Sequence, residues 1–131
     1  MILRMNLLLS ALVLVLPVDT APAENEAAQM VDRGRAVFSA CAACHTPGSA
    51  TQTGPDLRGV LGRAAAVVSG FRYSRALRRS GLTWDESTLD SFVADPQAVV
   101  PGTTMPYAGE PDPVARAALL AYLKTLRPAP P

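Results

Sequence analysis

Both cysteines and the only histidine of this 131-residue chain lie in five consecutive positions, Cys41-Ala42-Ala43-Cys44-His45. A Cys-x-x-Cys-His pentapeptide is typical of covalent haem attachment. Two thiols three residues apart at a helix end can reach the two vinyl groups on one edge of the macrocycle, and the adjacent imidazole then falls beneath the iron. The sequence therefore predicts one covalent haem c per chain, attached through Cys41 and Cys44, with His45 as an iron ligand.

Two other interpretations of the pentapeptide fit the sequence less well. A disulfide or a thioredoxin-like redox pair would be expected in a strand-helix-strand context, which the sequence does not indicate. A zinc site needs further ligands to complete a tetrahedron, and no cysteine or histidine remains to supply them.

The opposite side of the iron needs a second ligand, and the soft candidates are Met30 and Met105. Met30 lies on the first predicted helix, where methionine commonly fills a core. Met105 lies in an irregular segment between Pro101 and Pro106, and these prolines lower the entropy cost of presenting its sulfur because they restrict the unfolded backbone. A His45/Met105 pair would give a six-coordinate iron with a raised reduction potential.

Residues 1–23 have the layout of a secretory signal peptide. Arg4 precedes an apolar run from Leu7 to Leu16, and Ala21-Pro22-Ala23 follows as a cleavage site. The run is short for a spanning helix, which needs about 20 apolar residues. We expect cleavage after Ala23, with an uncleaved anchor as the alternative, and one periplasmic domain over residues 24–131.

Helical periodicity marks both ends of that domain. Small or apolar residues recur at spacings of three and four from Ala27 to Cys41, and the same spacing follows an Asp112 N-cap over Pro113–Leu126. These two single-faced helices are expected to cross at Gly34, with a disordered proline-rich tail over 128–131. Between them, no strand pattern is evident.

Three further elements are predicted in the middle of the chain. A capping box of Thr83 and Glu86 starts a helix that ends near Ala94. A shorter helix is expected within residues 72–80. The proline- and glycine-rich stretch between Pro96 and Asp112 is expected to be an irregular loop, and a loop of this length is more often functional than not.

Composition excludes nucleic acid as a partner. Twelve Lys and Arg against eleven Asp and Glu give a net charge of +1, without the basic field that phosphate backbones require.

The chain resembles the class I cytochromes c of mitochondrial and bacterial type over nearly the whole of residues 24–131. The motifs that carry the resemblance, besides the pentapeptide, are Gly34 with Phe38, Thr53-Gly54-Pro55-Asp56-Leu57, Gly59, Gly62-Arg63, Gly70-Phe71 with Tyr73-Ser74, Gly81-Leu82-Thr83-Trp84, Pro96, Pro101-Gly102-Thr103-x-Met105, Gly109, and Leu119 with Tyr122-Leu123. The resemblance implies the all-α cytochrome c fold, with three to five helices and long loops wrapped around the haem.

The resemblance also implies further roles at the haem. The Pro55 carbonyl would accept a hydrogen bond from His45, and Arg63, Tyr73 and Trp84 would hydrogen-bond the propionates. For Arg63 a solvated surface arginine remains the alternative, and for Trp84 a core residue at a helix start.

This chain departs from the mitochondrial type in its haem pocket and at the haem edge. Phe92 replaces a tyrosine and Leu77 an asparagine, which makes the pocket more apolar. The lysines that ring the exposed haem edge in that type are replaced by Gln97, Ala98 and Thr104. A cluster of four arginines is either a solvated helix face or a substitute docking patch: Arg72, Arg75, Arg78 and Arg79.

The implied function is one-electron transfer in a respiratory chain, with no catalysis by the protein itself. The expected protein is a periplasmic monomer, not stably inserted in a membrane after signal cleavage. It would pass electrons from a dehydrogenase or reductase to an oxidase. Two alternatives stay open: a haem c subunit of a dehydrogenase or oxidase complex, and a haem protein whose labile Met105 ligand lets the iron bind peroxide or a small gas.

Overall fold

The computed structural model describes residues 21–48 and 53–128. Most of the predicted signal peptide and all but the first residue of the predicted tail therefore lie outside the described residues. The described chain is all-α, as predicted, and its helices are α1 Ala21–Ala42, α2 Arg75–Arg79, α3 Glu86–Ala94, α4 Pro96–Val99 and α5 Pro113–Thr125. None of these helices is long and apolar enough to cross a membrane.

The two terminal helices cross as predicted. A Cβ atom at Gly34 of α1 would overlap the carbonyl oxygen of Ala118 on α5, so only glycine allows this approach. Next to the crossing, the rings of Phe38 and Tyr122 lie 5.1 Å apart between centroids. Absence of a side chain at Gly34 thus compensates for the low helix propensity of glycine by permitting close packing.

Both ends of α5 follow from the sequence. The side chain of Asp112 accepts a hydrogen bond from the Val114 N–H at 2.9 Å, and Pro113 occupies the first helical position. Proline is favoured there because its missing N–H would have no partner within the helix. The helix ends at Thr125, before Pro128.

The predicted capping box at the start of α3 is wrong. Asp85 is the N-cap, and its carboxylate accepts a hydrogen bond from the Thr88 N–H at 2.8 Å. Thr83 instead forms an isolated antiparallel bridge with Ala64, because the Trp84 N–H donates to the Arg63 carbonyl at 2.9 Å. The backbone around Thr83 is thus held extended and cannot begin a helix, although α3 ends at Ala94 as expected.

The segment after α3 is also more regular than predicted. It begins with the single turn α4, whose N-cap Asp95 accepts hydrogen bonds from the N–H groups of Gln97 and Ala98 at 3.1 and 3.0 Å. Pro96 opens this turn without losing a hydrogen bond, for the reason given for α5. Irregular backbone then extends from Val100 to Asp112.

One hydrophobic core joins the terminal helices to α3. Its fully enclosed members include Leu119 of α5 and Val60 of the loop before α2, each 2% exposed. Phe92 of α3 packs against Trp84, with their ring centroids 4.9 Å apart. The core does not fill the interior, because a cavity separates part of α1, α3 and α5 from the loops.

Candidate functional site

All eight residues predicted to bind the cofactor line a single cavity. They come from α1 and the turn after it, from the long loop before α2, from the segment before α3 and from the loop before α5: Cys41, Cys44, His45, Pro55, Arg63, Tyr73, Trp84 and Met105. The two departures predicted for the haem pocket, Leu77 and Phe92, line it too. The remaining wall is mostly apolar and includes Phe38, Val60, Leu119 and Leu123.

The end of α1 turns the pentapeptide into the cavity. Cys41 lies in the last turn of the helix, and its carbonyl accepts hydrogen bonds from the N–H groups of Cys44 and His45 at 3.1 and 2.9 Å. These contacts close a tight turn that brings both cysteines to the cavity wall and buries the imidazole. Cys41 and Cys44 do not form a disulfide.

The imidazole is fixed by a backbone carbonyl. His45 Nδ1 lies 2.9 Å from the Pro55 oxygen. Since a carbonyl oxygen only accepts, Nδ1 must carry the proton in this contact, and in the neutral ring Nε2 then keeps its lone pair for a metal ion. A partner on the second ring nitrogen orients the ring of a metal-ligating histidine in just this way.

Gly54 allows the chain to pass close to the imidazole. A Cβ atom at this position would lie 2.9 Å from two atoms of the His45 ring, nearer than side chains normally approach. The Pro55 carbonyl therefore reaches Nδ1 because its neighbour has no side chain. The fixed imidazole, the two cysteines beside it and the apolar cavity next to them fit covalently attached haem.

Of the two candidate methionines, only Met105 lines the cavity. Its side chain is half-buried and packs against the hydrophobic core, while its N–H donates to Thr103 Oγ1 at 3.4 Å. Met30 is on α1 and contributes nothing to the cavity wall. Met105 is thus the methionine placed to face bound haem, and its coordination of the iron remains a prediction.

Arg63 is not a solvated surface arginine. Its guanidinium is half-buried and donates to the carbonyl oxygens of Arg58 and Asp56, both at 2.9 Å. Burial lowers the pKa of the Arg63 guanidinium, and the neighbouring Tyr73 and Asp56 partly oppose that shift. The sequence did not indicate that Arg63 ties together the loop that precedes it.

Tyr73 and Trp84 are both buried at the cavity wall. The Tyr73 hydroxyl accepts a hydrogen bond from the Val68 N–H at 3.3 Å, so its own proton remains available to donate. Burial raises the pKa of this hydroxyl, which therefore stays protonated near neutral pH. The bonds of Arg63, Tyr73 and Trp84 to propionates stay predictions.

Burial also raises the pKa of the Cys41 thiol, and nearby Cys44 raises it further. Tyr107 shows the same direction, because burial and then the neighbouring Cys41 and Glu110 raise the pKa of its hydroxyl. Among the described residues, no cation lowers the pKa of the Cys41 thiol, so this environment does not favour a reactive thiolate at this position. Cys41 is better suited to a stable thioether than to redox chemistry of its own.

Asp56 and Arg58 form an ion pair that the sequence did not single out. The carboxylate of Asp56 lies 2.7 Å from Arg58 Nη2 and also accepts from the Arg58 N–H at 2.9 Å. Burial acts to raise the pKa of Asp56, but the hydrogen bonds from Arg58 outweigh it and the pKa is lowered. This pair and the carbonyl contacts of Arg63 rigidify the loop that carries Pro55.

The arginine cluster lies on and beside α2. Arg72, Arg75, Arg78 and Arg79 are exposed, and none of them forms an ion pair within residues 21–48 and 53–128. A guanidinium nitrogen of Arg78 donates to the Tyr73 carbonyl. Both interpretations of the cluster, solvated face and docking patch, are compatible with this placement.

Comparison with known proteins places this geometry in a family. The family model described as Cytochrome c matches residues 31–127. Cytochrome c2 iso-2 of Magnetospirillum fulvum is 47% identical over 90 residues, which cover 68% of this chain and 94% of that protein. Cytochrome c2 of Rhodoblastus acidophilus is 45% identical over 98 residues, covering 73% and 92%.

A solved structure is similar over the same region. Cytochrome cH from Methylobacterium extorquens superposes with a TM-score of 0.70 at 42% sequence identity, covering 72% of this chain and 97% of that one.

Proposed function

Because the chain belongs to the cytochrome c family, we propose that it is a periplasmic one-electron carrier in which His45 and Met105 ligate the haem iron. Family membership makes it an electron-transfer protein with covalently bound haem c and not an enzyme. The proposed part is the ligand pair, the compartment and the partners: a dehydrogenase or reductase as donor and an oxidase as acceptor.

The observation that carries the proposal is the meeting of His45 and Met105 at one apolar cavity. Bound haem supplies an iron that gains and loses one electron. The protein's part is to keep the surroundings unchanged during that step: the Pro55 carbonyl fixes the imidazole, and the half-buried Met105 is packed against the core. A fixed ligand pair and an apolar wall limit the rearrangement that each change of charge requires and exclude water from the site.

The ligand pair is tested by the optical spectrum of the ferric holoprotein. Methionine ligation produces a near-infrared sulfur-to-iron band, which we expect in the unaltered protein and in Met30→Ala but not in Met105→Ala. Met30 is a matched control because it is the other methionine of the described chain and lies away from the cavity. A five-coordinate resting spectrum, or loss of the band in Met30→Ala, would falsify the assignment and favour a haem protein that binds small ligands.

The compartment and the state of assembly have separate tests. Export with cleavage after Ala23 is supported by the N-terminal sequence pattern. Intact-mass measurement of protein from a periplasmic extract should give a chain that begins at Glu24 and carries one haem. A free carrier should also elute as a small monomer, whereas co-purification with a large dehydrogenase or oxidase would identify it as a subunit.

A further inference from the structure

Gln97 of α4 is joined by both ends of its side-chain amide to the loop that carries Met105. Its Nε2 donates to the Thr103 carbonyl at 2.9 Å, and its Oε1 accepts from the Gly102 N–H at 3.1 Å. The two loop groups belong to consecutive residues, two and three positions before Met105. A carboxamide can donate through its nitrogen and accept through its oxygen at the same time.

The backbone that carries Gln97 is itself fixed. The Asp95 carboxylate accepts from the Gln97 N–H at 3.1 Å, and the Val100 N–H donates to the Pro96 carbonyl at 2.9 Å. Pro96 is fully buried. The side chain of Gln97 therefore extends from a rigid turn that directly follows α3, which forms part of the cavity wall.

The loop on the other side of the amide is shaped by the same contacts. Thr103 is buried, its N–H donates to the Val100 carbonyl at 2.9 Å, and its Oγ1 accepts from the Met105 N–H at 3.4 Å. Gly102 has a φ of +87°, a conformation that favours glycine. The hydrogen bonds that link Gln97 and Val100 to the Met105 loop thus run through Gly102 and Thr103.

We propose that Gln97 is a positioning residue that holds the Met105 sulfur at the iron and sets how often that bond opens. The proposal rests on the proposed function, because it requires Met105 to be the second ligand. It gives Gln97 a role that its exposed position does not suggest. A small ligand can enter the iron site only while Met105 is away, so its apparent affinity reports the open population.

Imidazole binding to the ferric holoprotein at fixed pH measures that population. Removing both hydrogen bonds in Gln97→Ala should tighten imidazole binding about tenfold, which corresponds to a loss of about 1.4 kcal/mol from the closed loop. Gln97→Glu fills the same space but cannot donate to the Thr103 carbonyl when ionised. We therefore expect Gln97→Glu to bind imidazole more tightly as well. That result would attribute the effect to the lost hydrogen bond and not to lost side-chain volume.

Asp85→Ala provides the matched control. It removes the N-cap of α3, at the end of that helix remote from Gln97, and so lowers the stability of the whole protein without touching the loop. Denaturant unfolding of each variant shows how far global stability falls. If Gln97 positions Met105, imidazole affinity rises in both Gln97 variants and stays within twofold of the unaltered protein in Asp85→Ala.

Two results would overturn the proposal, and they are distinguishable. The first result is one in which the unaltered protein shows the sulfur-to-iron band, but Gln97→Ala binds imidazole no more tightly than the unaltered protein or than Asp85→Ala. Gln97 then does not position Met105. If the unaltered protein lacks the band and takes up imidazole without displacing a ligand, the His45/Met105 assignment fails and the role of Gln97 fails with it.

Discussion

At the scale of the residue, Gly34 allows the two terminal helices to cross closely because it has no side chain. Intrinsic propensity alone would make Gly34→Ala stabilising by about 1 kcal/mol. The overlap with the Ala118 carbonyl reverses this, because α1 and α5 would have to separate along a packed face. We expect Gly34→Ala to lose about 3 kcal/mol in denaturant unfolding of the holoprotein.

Gly81→Ala separates the steric effect from the general cost of replacing a glycine. Gly81 has a φ of +64°, but a Cβ there would meet no atom within 4 Å. Its replacement should cost only the backbone strain, about 1 kcal/mol. A Gly34→Ala protein as stable as Gly81→Ala would mean that the crossing tolerates a methyl group.

At the scale of the element, prediction succeeded where the residue pattern is local. Helix α1, helix α5 and the N-cap of α5 were predicted correctly. Each depends on residues that are close together in the sequence, including the Asp112-Pro113 pair. The predicted start of α3 was wrong because a bridge to the distant Ala64 holds Thr83 extended. The residues around Thr83 give no indication of that long-range contact.

The same distinction applies to the site. The haem-attachment pentapeptide could be identified from the sequence because cysteine and histidine are rare in the chain and their spacing is specific. The position of Met105 at the cavity wall agrees with the sequence, while its coordination of the iron stays a prediction. The contacts of Gln97 with the Met105 loop could not be predicted, because folding alone brings the Gly102 and Thr103 backbone to its side chain. The carbonyl contacts of Arg63 were hidden for the same reason.

The Asp56–Arg58 ion pair in the loop that carries Pro55 should make the stability of the protein depend on pH in the acid range. The pKa of Asp56 in the folded protein lies below its ordinary value of about 3.9, so the Arg58 contact contributes stability that is fully present above that value. This contribution is lost as the pH falls through the folded pKa. Asp56→Asn should therefore lower the thermal midpoint at pH 7, and the difference from the unaltered protein should shrink below about pH 4.

Asp32→Asn is the control for this pH dependence. Asp32 is exposed on α1 and forms no ion pair within the described part of the chain. Its replacement should leave the thermal midpoint nearly unchanged over the whole range. If Asp56→Asn and Asp32→Asn have parallel profiles from pH 3 to pH 7, the Asp56 contact does not contribute as the geometry indicates.

At the scale of the whole molecule, a net charge of +1 conceals strong segregation of charge along the chain. Residues 57–84 contain six arginines and no acidic residue, whereas residues 85–112 contain six acidic residues and no basic one. The arginine cluster of α2 belongs to the first stretch, and Tyr73, Ser74 and Leu77 beside it line the cavity. Four exposed arginines are therefore concentrated beside one part of the cavity wall, although the molecule is almost neutral.

Small redox reagents of opposite charge can detect this local field. Electron exchange with anionic hexacyanoferrate should slow severalfold as added salt shortens the Debye length from about 30 Å to about 10 Å, while exchange with a cationic cobalt complex should accelerate. The double variant Arg75→Gln/Arg79→Gln should flatten both dependences. Arg33→Gln/Arg127→Gln removes the same charge from exposed positions outside the cluster and should not. Equal slopes in the two double variants would mean that net charge governs the approach of reagents, and the arginine cluster would then be a solvated face.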